Sequence, residues 1–486
     1  MHVGVDIGTQ SLKVVVIDGA FMPKGTARRN YPASFPQPGW AEQDSGLWER
    51  ALGPAIAEAL AAADVVPEDV RGLGICGQLD GCIAVDDAGR ALGPCLLWMD
   101  RRATDETADI PSDLIRRKTG IIVDAGHMAA KVRWLKRNRL RDHAARFHQP
   151  VSYVVKRLTG AFVIDHALAS TTMVCALDEP RYDPALLNLF GIDAAELPRI
   201  DHAAALAGRL HESGAALTGL PRGLPVAVGT GDDFSTSIGA GLLAPGRVSV
   251  GLGTGEVVGA LHRSPLIDDA GLVETHPYPG LGSDRCFFIE NPGWLGGGSV
   301  VWLMSILGLS HPRQFDDLAA LAPPGADGAT FLPCLSGAMA PRWRSAARGS
   351  FYGLTTAHGR EHMARAVLEG TAFAMRDVID RLDSMGVATD TILMLGGGAR
   401  SALWGQIRAD VAGRNVDVPR ITDTCPIGAA MLAAVASGDV STLADAAALI
   451  EGGSETITPN PRRASAYDSA YAAYRRLFDT LEPMFT

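Results

Sequence analysis

Two glycine-turned hairpins, one at the start of the chain and one near its middle, set the tightest limit on what it can fold into. The first reads Val3-Gly4-Val5-Asp6-Ile7-Gly8-Thr9-Gln10-Ser11-Leu12-Lys13 and continues to Asp18. Apolar residues alternate as far as Asp6, the chain turns through Gly8 among hydroxyl and amide side chains, and a second strand runs back over residues 13–17. Such a turn can aim backbone N–H groups at phosphate oxygens, with Lys13 as a nearby point charge and Asp6 placed to hold a magnesium ion through water. An ordinary hairpin with a glycine turn fits the same letters. The second copy, Val248-Ser249-Val250-Gly251-Leu252-Gly253-Thr254-Gly255, lies position for position on Val3 to Gln10, and another apolar strand follows it. Its place at mid-chain, just past Ala244-Pro245-Gly246, favours a duplicated architecture. Gly251 stands where the first copy has Asp6, so only one half offers a metal-facing carboxylate.

At 486 residues the chain is too long for one ordinary core. The expected division is residues 1–243 and 244–486. A net charge of −10, without long basic runs, argues against a broad nucleic-acid surface. The basic stretch at residues 131–141 reads as a solvated helix face. The seven cysteines are scattered and include no Cys-x-x-Cys, which suggests reduced thiols in a cytoplasmic protein. No apolar run is long enough to span a bilayer, and the opening strand carries no leader pattern.

Between the hairpins, Trp48, Leu52, Ile56, Ala59 and Leu60 share one helical face. Gly72-x-Gly74-x-x-Gly77 matches the dinucleotide fingerprint in form only, because it runs into a hairpin instead of opening a helix. A strand over residues 94–98 ends in Trp98-Met99-Asp100, and residues 104–157 read as mainly helical. There Lys131 and Trp134 share a face, which suggests a core tryptophan beside a snorkelling lysine. Residues 194–224 read as loops and short strands. A strand over residues 225–228 then delivers Gly229-Thr230-Gly231-Asp232-Asp233 to a helix of small residues. In the second half, Gly296-Gly297-Gly298-Ser299 opens a helix packed closely on a neighbour, and a strand over residues 391–395 leads into Gly396-Gly397-Gly398-Ala399-Arg400-Ser401. Further helices cover residues 362–382, stop near Gly413, and start again around Pro426.

Two glycine hairpins and a strand-to-triple-glycine-to-helix element suggest a nucleotide gripped between two halves, with a purine or ribose lying flat on the glycines. No Gly-x-x-x-x-Gly-Lys-Ser/Thr occurs, so a P-loop fold is excluded. The chain resembles the FGGY family of carbohydrate kinases, and within it the xylulokinases. The resemblance runs nearly end to end, through Asp6-Ile7-Gly8-Thr9, Pro38-Gly39-Trp40 to Asp44, Gly77-Gln78, Trp98 with Asp100, Gly231-Asp232, Gly253-Thr254-Gly255, Gly349-Ser350-Phe351-Tyr352-Gly353-Leu354 and Gly396 to Ser401.

The resemblance implies an α/β fold of two ribonuclease H-like domains, of the actin and hexokinase type, with ATP and a sugar held in the cleft between them. It implies transfer of the γ-phosphoryl group to a sugar hydroxyl, with D-xylulose the leading acceptor and another ketose, a pentitol, erythritol or glycerol the alternative. A non-catalytic ATP-binding relative of actin or the chaperones would need no sugar pocket. Asp232 matches the family's general base, although an Asp at that position also suits a helix cap. By the same resemblance Asp6 and Asp232 face Mg2+, and Gly8, Thr9, Gln10, Ser11, Lys13, Gly253, Thr254 and Gly255 meet the phosphates. Gly297, Gly397, Gly398 and Ala399 would line the nucleoside. Gln78, Leu79, Asp80, Trp98, Asp100 and Asp233 would face the acceptor, with Trp98 readable either as a core residue or as a stacking face. Homodimers are compatible with the family. Leu79-Asp80 replaces the usual Met-His, Asp233 the usual Asn, and Ala338-Met339 the usual Glu-Arg. Ionised carboxylates only accept hydrogen bonds, so these departures favour an acceptor rich in hydroxyl donors.

Overall fold

The computed structural model describes residues 1–138, 144–279, 285–450 and 453–485. The opening stretch is the hairpin its alternation predicts: β1 (His2–Ile7) and β2 (Ser11–Ile17) pair antiparallel, Asp6 opposite Lys13. β3 (Pro23–Asn30) adds antiparallel to β2, and β4 (Gly72–Gly77) adds parallel to the other side of β1. β5 (Leu206–Arg209) forms the far edge beyond β6 (Pro225–Ala227), which runs parallel to β4, and β7 (Thr230–Gly231) continues alongside β4.

The second sheet repeats this plan. β8 (Gly246–Leu252) and β9 (Glu256–His262) form the second hairpin. Beyond β9 lie β11 (Phe287–Trp294) and an extra edge strand, β10 (Glu274–Pro277); beyond β8 lie β12 (Thr389–Leu395), β13 (Asn415–Pro419) and β14 (Ser454–Ile457). The two sheets read β3-β2-β1-β4-β6-β5 and β11-β9-β8-β12-β13-β14, with the same alternation of antiparallel and parallel neighbours. The repeat of eight letters is therefore a repeat of topology.

The halves are not independent. Helix α7 (Cys425–Ser437), late in the chain, lies against the first sheet. Close approach is possible because the strands beneath carry glycine. A Cβ at Gly4 would lie 1.8 Å from the Pro426 carbonyl oxygen, and one at Gly74 would lie 1.8 Å from that of Ala429. Thus Gly72-x-Gly74 is a bed for a helix and not a phosphate loop. Ile427, Met431 and Leu432 join Val15 and Phe234 from the first half and Leu261 and Leu393 from the second in one core that spans both.

The expected helices appear as α1 (Ser45–Ala63), α5 (Arg360–Ser384) and α6 (Ala402–Ala412), with Gly413 left-handed at the end of α6. Three expectations need correction. The stretch 104–157 is interrupted by a short strand, Arg146–His148, that pairs with Ile83–Val85; residues 139–143 of it lie outside the described residues. The loops at 194–224 include a helix, Glu212–Thr218, capped by His211. In α2 (Met128–Arg137) Lys131 is fully buried, while Trp134 is half-buried and packs edge-on to Trp40. The lysine does not snorkel because the carbonyls of Asp80 (2.8 Å) and Gly126 accept its ammonium N–H groups inside the fold. Among the described residues, no helix is long and apolar enough to cross a membrane.

Candidate active site

The first hairpin carries a polar cluster at its turn. The Gly8 carbonyl accepts from the Tyr31 hydroxyl at 2.8 Å, the Thr9 carbonyl from Gln43 Nε2 at 2.8 Å, and the Gln10 carbonyl from the Tyr31 N–H at 3.0 Å. With these carbonyls tied back, the turn offers its N–H edge outward. Asp6 is buried beside it, with Lys13 Nζ at 3.6 Å from Oδ2 and, among the described residues, no hydrogen-bond partner on Oδ1. Burial raises its carboxyl to about 6, with Asp423 adding to the effect and Lys13 opposing it. Burial alone would lower the Lys13 ammonium, yet Asp6 and Asp423, the latter 3.0 Å away, outweigh it and push it up. An orphaned carboxylate oxygen in this setting suits a hydrated magnesium ion. The thiols of Cys76 and Cys425 also lie near Asp6, 3.3 Å apart, but a hard cation does not favour sulfur.

The second hairpin is built alike. Gly253, Thr254 and Gly255 are exposed, and the carbonyls of Gly253 and Thr254 accept from the N–H groups of Gly297 (3.2 Å) and Gly298 (2.9 Å) at the start of α4 (Gly296–Ile306). A Cβ at Gly297 would lie 2.3 Å from the Gly253 oxygen, so this glycine seats the hairpin. Glu256, next after the turn, forms a fully buried bidentate pair with Arg408 of α6 at 2.6 and 2.7 Å. In the triple glycine, Gly398 packs against Trp404 and Leu252, and the Ala399 side chain points into the core. Gly397 alone is exposed, and the nearest atom to a Cβ there would be Arg400 Nη2 at 3.7 Å, the end of a flexible side chain.

Asp232 and Asp233 open α3 (Asp232–Gly239). The cap is Gly231, which makes no side-chain bond, so Asp232 is not serving as a helix cap. The surrounding protein, Asp233 and Asp6, in that order, raise the Asp232 carboxyl well above the usual range. Asp233 is raised to about 7 by its enclosed position and by Asp80. Leu79 packs over Gly231, where a Cβ would meet Leu79 Cγ at 2.8 Å.

From Asp80 a largely buried chain of ionisable groups leads into the second half. Asp80 sits at φ 59°, held by Gln149 on its N–H (2.8 Å) and Lys131 on its carbonyl. Its Oδ2 meets His127 Nδ1 at 3.1 Å; His127 Nε2 lies 3.7 Å from Glu274; His276 Nε2 lies 3.8 Å from Glu274 and 3.5 Å from Glu290. Burial would lower His127, but Asp80 and Glu274 outweigh it and hold the ring well above its ordinary value. His276 is lowered to about 4 by burial, against the pull of Glu274. Glu290 is raised well above the usual range by burial, then by Asp233, Glu274, Asp232 and Asp80.

Comparison with known proteins decides the family. Residues 1–239 match the model for the N-terminal domain of the FGGY family of carbohydrate kinases, and residues 248–437 match that for its C-terminal domain. The chain belongs to the FGGY family of carbohydrate kinases. It is 28% identical over 491 residues to the xylulose kinase of Escherichia coli, covering 100% of both chains. It is 32% identical to a glycerol kinase of Citrifermentans bemidjiense, covering 91% of each. The crystal structure of a xylulose kinase from Rhodospirillum rubrum superposes with a TM-score of 0.87 at 30% identity, covering 100% of this chain and 99% of that one. The two-domain FGGY fold expected from the sequence is the fold observed.

Within this FGGY kinase the acceptor residues separate into two groups. Asp80 and Asp233 are electrostatic neighbours of each other and of Glu290. Trp98 is 41% exposed, so it is no core residue; its Nε1 donates to Thr9 Oγ1 at 3.1 Å, beside the first hairpin. Gln78, by contrast, is buried and spends its amide on Gln43 (3.1 Å) and Thr9 (3.4 Å), which braces the hairpin. Asp100 lies outside the cluster, its carboxylate occupied by Arg102 and by the Ala41 N–H at 2.7 Å. Sequence reading missed His127, Glu274, His276 and Glu290. A signal existed for Glu290, an ionisable residue directly after the apolar run Phe287-Phe288-Ile289.

Proposed function

We propose that this FGGY kinase transfers the γ-phosphoryl group of ATP to a hydroxyl of an uncharged ketopentose, with D-xylulose the first candidate. The halves are read as residues 1–243, carrying the acceptor site, base and first phosphate hairpin, and 244–486, carrying the second hairpin and adenosine site. The observation that carries this reading is Asp232 at the head of α3, within the electrostatic reach of both Asp6 and the acceptor carboxylates. A base there takes the proton of the attacking hydroxyl on Oδ, and burial beside Asp233 and Asp6 raises its affinity for that proton. Phosphoryl transfer depends mainly on alignment and charge stabilisation, which the two hairpins, Lys13 and the capped turns supply. Asp6 and Asp232 would hold magnesium, which when bound neutralises charge on the phosphates. Asp6, Thr9, Gln10, Ser11, Lys13, Gly253, Thr254 and Gly255 would orient the phosphates, and Gly397 the nucleoside.

A polyol acceptor is the second reading, favoured by the carboxylates Asp80 and Asp233, which suit many hydroxyl donors. A coupled ADP-release assay over ketopentoses, pentitols, glycerol and hexoses decides between them. D-xylulose should give the largest kcat/KM; a pentitol or glycerol ahead of it would establish the second reading. If no acceptor raises ATP turnover above the background with water, the acceptor class is wrong.

A further inference from the structure

We infer that Glu290, carried by the second half, is an acceptor-specificity residue that completes the pocket begun by Asp80 and Asp233 and selects neutral polyhydroxy compounds over sugar acids. The inference rests on the proposed acceptor site and assigns it a residue from the other half. Glu290 is buried, and its Oε2 has no hydrogen-bond partner among the described residues. Its Oε1 faces His276 Nε2 at 3.5 Å, and that ring is held from its other nitrogen by Ser170 Oγ at 2.8 Å. The next residue, Asn291, points the opposite way and is satisfied by the carbonyls of Leu272 and Met339 and the N–H of Gly293, so the pleat of β11 commits Glu290 to the face that carries the chain of ionisable groups. From the first half, Asp80 Oδ1 is likewise buried without a partner, although its other oxygen is bound to His127.

Buried acceptor oxygens left without donors are uncommon in folded proteins, and two of them in one electrostatic neighbourhood mark a place where a ligand supplies the donors. A polyol or open-chain ketose offers O–H groups along its whole length and so can supply more than one such donor. An aldonic acid would have to bury its own carboxylate beside Asp80, Asp233, Glu274 and Glu290, where burial and neighbouring carboxyls already disfavour negative charge on Asp233 and Glu290.

The test is acceptor binding by calorimetry without nucleotide, using D-xylulose, xylitol and D-gluconate, on the full chain and on Glu290→Gln. The glutamine keeps the shape and replaces one carboxyl oxygen by an amide group that cannot accept; ATP affinity checks that its fold is intact. The wild type should bind D-xylulose or xylitol and not D-gluconate, and the variant should bind the neutral ligand about tenfold or more weakly, the loss expected when a ligand hydroxyl loses its buried acceptor. Its discrimination against D-gluconate should narrow. Should Glu290→Gln not fold, a deoxy analogue lacking the hydroxyl farthest from the transferred one makes the same comparison on the wild type, and it should bind about tenfold or more weakly too. Equal binding by variant and wild type, equal binding of the deoxy analogue, or wild-type affinity for D-gluconate would overturn the inference. A wild type that binds these neutral ligands and phosphorylates none would sink the kinase reading while leaving Glu290 in its place.

Discussion

Arg408 and Glu256 form a bidentate pair with both side chains 0% exposed, and replacing Arg408 by leucine would leave the Glu256 carboxylate without its counter-ion where no water reaches it. Breaking one side of such a pair costs about 3–5 kcal/mol. The upper part of that range applies here, because both N–H donors are lost together with the packing of the guanidinium over Trp404 at 4.7 Å. The loss should depend on pH. Burial already raises the Glu256 carboxyl against the opposing pull of Arg408, and removing Arg408 raises it further. A carboxyl raised in the folded state binds more protons there than in the unfolded chain, so its penalty is absent below the unfolded pKa of about 4.3 and grows as pH rises through the folded value. Urea midpoints at pH 8 and at pH 5 measure this. With a slope of about 3 kcal/mol per M, the variant's midpoint should fall by roughly 1.3–1.7 M at pH 8 and by much less at pH 5. Replacing Glu256 by methionine in the same chain should recover most of the loss. A shift that is equal at both pH values, or a double variant no more stable than the single one, would refute the reasoning. Since Glu256 directly follows the Gly253-Thr254-Gly255 turn and presses against Gly296, Arg408→Leu should also raise the KM for ATP.

Two further outcomes concern the base. Asp232→Asn should lower acceptor phosphorylation by about 10²–10⁴-fold with ATP binding retained; retained turnover, seen in the same ADP-release assay, would pass the role to Asp233. Activity should fall as pH drops below about 7, because Asp233 is raised to about 7 and Asp232 well above its usual range, and a protonated base cannot take a proton. The pair would show one shared acidic limb, and Asp233→Asn should move it to lower pH by removing the neighbouring charge. A kcat/KM profile flat from pH 5 to 8 would contradict this assignment.

The parts of the site that were legible in the sequence are those written in short stretches. Each hairpin, its turn glycines and the Gly231-Asp232 junction are local, so alternation and turn chemistry suffice to place them. The chain of ionisable groups is not local: Asp80 is linked to Glu290, through His127, Glu274 and His276, only because β10 and β11 extend the second sheet toward the segment around His127. Lys131 was misread for a different reason. Helical amphipathicity sends an ammonium to water unless something inside accepts its protons, and the two carbonyls that do so come from loops whose course the pattern cannot give. Gln78 and Asp100 carry family-like letters, yet they act as braces because nearby Gln43 and Arg102 claim them first.

Helix α7 also bears on how the chain is made. Gly4 and Gly74 wait for Pro426 and Ala429, partners more than three hundred residues downstream, and until those emerge the face of the first sheet has no lid. The first half leaves the ribosome as an open sandwich, its apolar floor available to chaperones or to other unfinished chains. Contacts of such span are slow to form, so docking of this helix should come late in assembly. Synthesised alone, the first half should accumulate as a sticky, incompletely packed species, and a separately supplied segment containing α7 should rescue it.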